Sequence, residues 1–195
     1  MTRAALQGMV RGLEENVAVQ NCWLHSRATA SIAGWLARFY GLHPDRAYTV
    51  GIMHDIGRLG LLTAHTGRYA ELLNRITGPN AAMMEAERLL FSFDHCEAGA
   101  WLTRTWGLPE EFRETGMHHH EPFQGIAGDQ TDLLKMACSL AQALGFKAAP
   151  LIDSEPIESI LEKIPESPNP RSPFSLSDLS VFLENELRVA PSLLQ

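Results

Sequence analysis

The feature that most limits what this chain can fold into is the spacing of its apolar residues. They recur three and four positions apart through most of the sequence, and alternating, β-branched runs are almost absent. Positions three and four apart share one face of a helix, whereas a strand needs a period of two, so this spacing selects the all-α class.

The spacing and its stop signals predict an amphipathic opening helix from about Ala4 to Val19 and a second helix from Cys22 to Tyr40, ended at Gly41. A third helix is expected from Pro44 to Ile56 with a stop at Gly57, which puts His54 and Asp55 in its last turn. Further helices are predicted at Arg68 to Ile76, Ala81 to Phe91, Asp94 to Trp106, Pro109 to the histidine run, Thr131 to Leu144 and Leu176 to Leu187. Trp101 and Trp106 are read as core residues. Residues 1–150 are expected to form one helical domain. Residues 151–195 are expected to add a Pro-rich irregular connection, "IPESPNPRSPF", and a terminal helix packed on the same domain.

A chain of 195 residues with 45% hydrophobic and 20% charged residues can bury one sizeable core and is not disordered. Its formal net charge of -7 disfavours general attraction to nucleic acid or to an anionic membrane. No apolar run approaches a membrane span and the start does not resemble a signal peptide, so a cytoplasmic protein is expected. Cys22, Cys96 and Cys138 are odd in number and contain no CxxC pair, which indicates reduced thiols and no disulfide framework.

The eight histidines are the chemistry-bearing residues. His25 lies at the edge of the apolar stripe of the second helix, His54 and Asp55 sit inside the apolar "GIMHDIGRLGLL", His95 opens a helix, and His118 to His120 end another. His43 and His65 read as solvated loop residues. Imidazole and carboxylate groups brought together by helix ends suit Fe, Mn, Zn or Ni.

The blocks "WLHSRATASIAGWLA", "AYTVGIMHDIGRLGLL", "FDHCEAGAWLTRTWGLP" and "HHHEP", followed by "LLKMACSLAQALG", resemble the HD superfamily of metal-dependent phosphohydrolases and, within it, the HDOD signalling domains. The resemblance runs from about Trp23 to Gly145 and implies an HD-type helical bundle with a metal site between helix ends. Carried over position by position, it implies His25, His54, Asp55, His95, His119 and His120 as ligands of one or two divalent ions. Asp55 would act as the shared carboxylate, and Arg58 would act on a phosphoryl group unless it is an exposed cation at a helix end.

The sequence departs from the pattern at Cys138, where a late Asp is expected, and at Asn21, where relatives that cleave cyclic dinucleotides carry a Glu. Cys138 reads either as a thiolate ligand or as a small buried hydrophobe. Few residues precede the "WLHS" block compared with the HDOD family, as in a compact HD domain or a fragment of a larger protein. The implied functions are a phosphohydrolase acting on a nucleotide or other phosphate ester, or a non-catalytic signalling module that binds a partner protein.

Overall fold

The computed structural model of the protein describes residues 15–125, 128–166 and 174–188. Its helices are α1 (Val17–Tyr40), α2 (Pro44–Met53), α3 (Ile56–Ala64), α4 (Thr66–Arg75), α5 (Asn80–Phe91), α6 (His95–Thr105), α7 (Glu110–His118), α8 (Gln130–Ala143), α9 (Ile157–Lys163) and α10 (Leu176–Arg188). The β pairing among the described residues is an isolated bridge between Gly78 and Ile152, so the all-α class is observed.

The central element is α1. Asn16 caps it, its side chain accepting from the backbone N–H of Ala18 at 2.9 Å. Val17 to Val19 therefore form the first turn of α1 and do not end a separate helix, while the expected helix over residues 4–14 lies outside the described residues. At 24 residues, α1 is long enough to serve two apolar cores in turn. Ala18, Val19 and Cys22 pack with Leu61, Leu62, Tyr69, Leu73 and Met83, from α3, α4 and α5. Further along, Ala28, Ile32, Leu36 and Ala37 pack with residues of α2, α8, α9 and α10. His25 falls between the two sets.

The expected third helix is interrupted. α2 ends at Met53, Asp55 adopts φ -109° and ψ 20°, and α3 starts afresh at Ile56. Gly57 is no helix stop. A Cβ on it would lie 1.9 Å from the His95 carbonyl oxygen and 2.6 Å from the Gly99 nitrogen, so α3 and α6 cross with their backbones in contact. Gly51 plays the same part against α1, where a Cβ would come 2.5 Å from the Ala30 Cα. Helix-stop signals and close-packing signals both use glycine, and here packing is the use made of it.

α6 begins in a capping box, with Asp94 accepting from Glu97 N–H and the Glu97 side chain accepting from Asp94 N–H. Its inner face is His95, Cys96, Gly99 and Thr103. Trp101, two positions and about 200° beyond Gly99, points outward and is 64% exposed, and Trp106 is 53% exposed, so neither is the core residue expected. In the C-terminal part, a short helix, α9, follows Pro156 in a stretch expected to be irregular, whereas residues 167–173 of the Pro-rich connection lie outside the described residues. Leu179 and Leu183 of α10 are buried in the core shared with α1 and α8.

Because the α3–α6 crossing has no room for a methyl group, Gly57→Ala should lower stability by about 1–3 kcal/mol or more. Gly67→Ala in α4, with nothing within 4 Å of the new Cβ, should be neutral or stabilising by up to about 1 kcal/mol. Urea unfolding of the two variants against the parent checks both signs.

Candidate metal centre

Five helices deliver side chains to one buried point. His25 comes from the middle of α1, His54 and Asp55 from the break between α2 and α3, Arg58 from α3, His95 from the first position of α6, and His119 and His120 from the end of α7. His25, Asp55 and His95 are 1% exposed, His119 is 2% and His54 and Arg58 are 3%, while His120 is half-buried. His118 turns away from this group towards Glu114 and Glu121. His43 and His65 are exposed, His65 stacking on Phe91.

The rings are fixed in orientation by what lies behind them. Nδ1 of His25 lies 2.8 Å from Phe146 O, Nδ1 of His54 lies 2.7 Å from Gly51 O, and Nδ1 of His119 lies 2.6 Å from Gly116 O. A carbonyl only accepts, so each of these three rings donates through Nδ1 and turns a bare Nε2 inward. His95 is held in the same sense by Glu87, whose Oε2 lies 2.6 Å from Nδ1 and 2.9 Å from the backbone N of His95.

What the bare nitrogens face decides whether this is a satisfied core. Nε2 of His54 lies 3.3 Å from Nε2 of His25, and no hydrogen is available between them while both rings are neutral. Burial keeps both rings below the usual histidine value, against the pull of Asp55, so the neutral forms are favoured. Asp55 Oδ1 is buried without a hydrogen-bond donor and lies 3.4 Å from Nε2 of both His95 and His119. His119 Nε2 is likewise unpartnered. Lone pairs facing lone pairs in a dry interior are unfavourable unless a cation lies among them. A tetrahedral ion at about 2.0–2.1 Å from each nitrogen sets neighbouring ligand atoms roughly 3.3–3.4 Å apart, the separation found here. The donor set fits a divalent ion.

Asp55 is the anion at the centre. Burial raises its carboxyl pKa, but the Arg58 guanidinium outweighs this and holds it well below the usual carboxylate range. Arg58 Nε donates to Asp55 Oδ2 at 2.8 Å, and Nη1 reaches Tyr69 Oη at 3.3 Å and Glu87 Oε1 at 3.4 Å. Arg58 is thus buried, and is not the exposed cation at a helix end that was one of its two expected roles.

Cys138 lies with Sγ 3.6 Å from His25 Nε2 and receives a long contact from Gln142 Nε2 at 3.8 Å. Burial pushes its thiol pKa upward. Three residues of the centre were not assigned to it from the sequence: Glu87, Tyr69 and Cys96, the last read there only as a reduced thiol. Cys96 Sγ is 3.5 Å from His95 Nε2 and 3.9 Å from His119 Nδ1. Glu87 had a visible signal, since it lies four residues after Met83 on the one buried stripe of α5, where a carboxylate needs partners.

An all-α bundle with a buried His-Asp centre at its helix ends defines the class of the protein. The chain belongs to the HDOD domain family, whose model matches residues 1–122 and stops short of the Cys138 helix that the sequence resemblance had included. The fold is similar to that of an HDOD domain protein of unknown function from Geobacter sulfurreducens, at 20% identity and a TM-score of 0.57 over 90% of this chain and 62% of that one. It is also similar to the MmoQ response regulator of Methylococcus capsulatus strain Bath, at 26% identity and a TM-score of 0.55 over 76% of this chain and 64% of that one. The chain therefore spans less than two thirds of the length of both. A search of curated proteins returns no match. No described helix is long and apolar enough to cross a membrane.

The Glu87 carboxyl, raised by burial but lowered more by His95 and Arg58, sits at about 2 against an ordinary 4.5. A carboxyl depressed in the folded state contributes stability that is fully present above its unfolded value and is lost as pH falls through the folded one. Glu87→Gln should therefore be less stable than the parent at pH 7, by about 3–5 kcal/mol if Arg58 is left under-compensated, and the gap should close as pH falls from about 4.5 towards 2. Urea midpoints measured across that range check the sign.

Proposed function

We propose that this protein is a signalling module of the HDOD family built around a bound divalent transition-metal ion. The observation that carries the reading is the facing pair His25 Nε2 and His54 Nε2, 3.3 Å apart with both Nδ1 atoms committed to carbonyl oxygens. The groups that would hold one or two ions are His25, His54, Asp55, His95, His119 and His120. Such an ion polarises phosphoryl oxygens and acidifies water when bound. The chain's own residues fix the rings through Phe146, Gly51, Gly116 and Glu87, keep Asp55 ionised through Arg58, and exclude solvent by burial.

Two features favour a module that binds a partner protein over an enzyme. The residues around Asp55 are 3% exposed or less, apart from His120, which leaves a phosphate ester little to touch. Every nitrogen of the Arg58 guanidinium is already engaged within the protein, so the phosphoryl-binding role expected for Arg58 would require it to give up internal partners. The similarity to a response regulator supports a signalling context. A phosphohydrolase acting on a nucleotide or other phosphate ester is the second reading, favoured by the retained histidine and aspartate positions and by the half-buried His120 at the edge of the centre.

Elemental analysis of protein purified without chelator should find Mn, Fe, Ni or Zn that is absent from His54→Ala, and a metal-free parent would defeat the reading. In a screen of phosphomonoesters, nucleotides and cyclic nucleotides with added Mn, Ni or Zn, the parent should turn over no faster than Asp55→Asn. Turnover lost in Asp55→Asn would establish the hydrolase instead. Cys138→Asp, which restores a carboxylate beside His25, should tighten metal binding roughly tenfold or more.

A further inference from the structure

Away from the metal centre, a cleft of about 90 Å³ opens between α1, α2 and α10. Trp35 of α1, Tyr48 of α2 and Phe182 of α10 line it with three aromatic rings, and Asp45 and Glu186 add two carboxylates. Its walls are held from behind. The Trp35 ring stacks on Phe39 with centroids 5.9 Å apart and meets Phe174 edge-on at 5.5 Å, while Leu179 and Leu183 of α10 are buried in the core. Trp35 stands ten residues from His25, about 15 Å along α1. Because the family model ends at residue 122, the α10 wall lies outside what that match covers.

The charges of this cleft differ from those elsewhere on the surface. Arg46, Arg75 and Arg113 are each paired with a glutamate. Among the described residues, Asp45 and Glu186 have no cationic partner, and Arg38, which lines the same cleft, pairs with neither. Two carboxylates against one guanidinium, beside three rings, favour a cation: aromatic faces attract positive charge, and the unpaired carboxylates supply the counter-charge. At about 90 Å³ the cleft has room for one side-chain head group, well below the several hundred Å³ of a site for a nucleotide-sized molecule. A guanidinium is flat and weakly hydrated, so it can stack on a ring and bond a carboxylate at once, which the compact, strongly hydrated ammonium of lysine does less well. The formal net charge of -7 attracts a basic partner at longer range.

We propose that this cleft receives an arginine side chain of a partner protein. The incoming guanidinium stacks on the aromatic wall and bonds Asp45 and Glu186, while Arg38 opposes it as a like charge. The surface is independent of the metal centre: a cleft that takes no arginine leaves the centre standing, and a metal-free chain leaves the cleft standing.

The test is a titration of the isotope-labelled full chain with Nα-acetylarginine amide, followed by nuclear magnetic resonance at the Trp35 indole and the Tyr48 and Glu186 amides. These signals should shift saturably, and the indole signals of Trp101 and Trp106 should not. Nα-acetylcitrulline amide, which has the shape without the charge, should bind at least about fivefold more weakly. Asp45→Asn and Glu186→Gln should each weaken arginine binding about two- to fivefold, and Arg38→Gln should tighten it by a similar factor. All three side chains are exposed, so the variants should fold as the parent does. No saturable shift at the cleft, equal binding of the citrulline compound, unchanged affinity in both carboxylate variants, or weaker binding in Arg38→Gln overturns the assignment. Tighter binding of tetramethylammonium would give the cleft to a quaternary amine, and tighter binding of uncapped arginine would give it to the free amino acid; either result overturns the partner-protein occupant.

Discussion

A carboxylate at 1% exposure is the interaction around which the rest of the molecule is arranged. An ionised group in that position costs many kcal/mol unless it is paired, and Asp55 is paired on one oxygen only: Oδ2 takes the Arg58 Nε hydrogen, while Oδ1 has no donor and faces imidazole nitrogens. Arg58 in turn is a buried cation and brings in Glu87 and the Tyr69 hydroxyl. Glu87 holds His95. Each buried charge thus calls for the next, and the network passes through α3, α4, α5 and α6 before it closes.

The network can exist because the helices meet end to end at close range. His54 and His119 use the same device: each follows the last residues of a helix and donates from Nδ1 to the carbonyl three residues back, Gly51 O in α2 and Gly116 O in α7. Carbonyls in the last turn of a helix lack intrahelical partners, so one hydrogen bond both satisfies a helix terminus and fixes a ring with Nε2 inward. The glycines do the complementary work. Gly57 against the His95 backbone and Gly51 against Ala30 allow approaches that any side chain would prevent, and they set the Asp55 break next to the start of α6.

Class and candidate ligands were legible in the sequence for separate reasons. Helical spacing is a property of single segments, and it gave the all-α class and most element limits to within a few residues, as at α8, expected from Thr131 to Leu144 and found at Gln130–Ala143. Polar residues in apolar stretches marked His25, His54 and Asp55. The break at Asp55 was not legible, because Gly57 suits a helix stop as well as a backbone contact and only the partner helix decides between them. The exposure of Trp101 had the same cause: an apolar residue on a helix is core only if its face is the covered one. Glu87 and Tyr69 were missed because their importance lies in Arg58 and His95, residues distant along the chain.

Cys138 and Arg58 act on the charge of the centre in the same direction. Where the resemblance leads one to expect a carboxylate, Cys138 places a thiol whose pKa burial raises, so the His25 side carries one negative charge fewer than that pattern. Arg58 adds a fixed positive charge on the His120 side. Both lessen the external positive charge that the buried carboxylates of Asp55 and Glu87 call for. The tautomers of His25 and His54 are fixed by Phe146 O and Gly51 O, and their Nε2 lone pairs face each other. Backbone carbonyls that bind no ion thereby leave two inward nitrogens that a cation would satisfy.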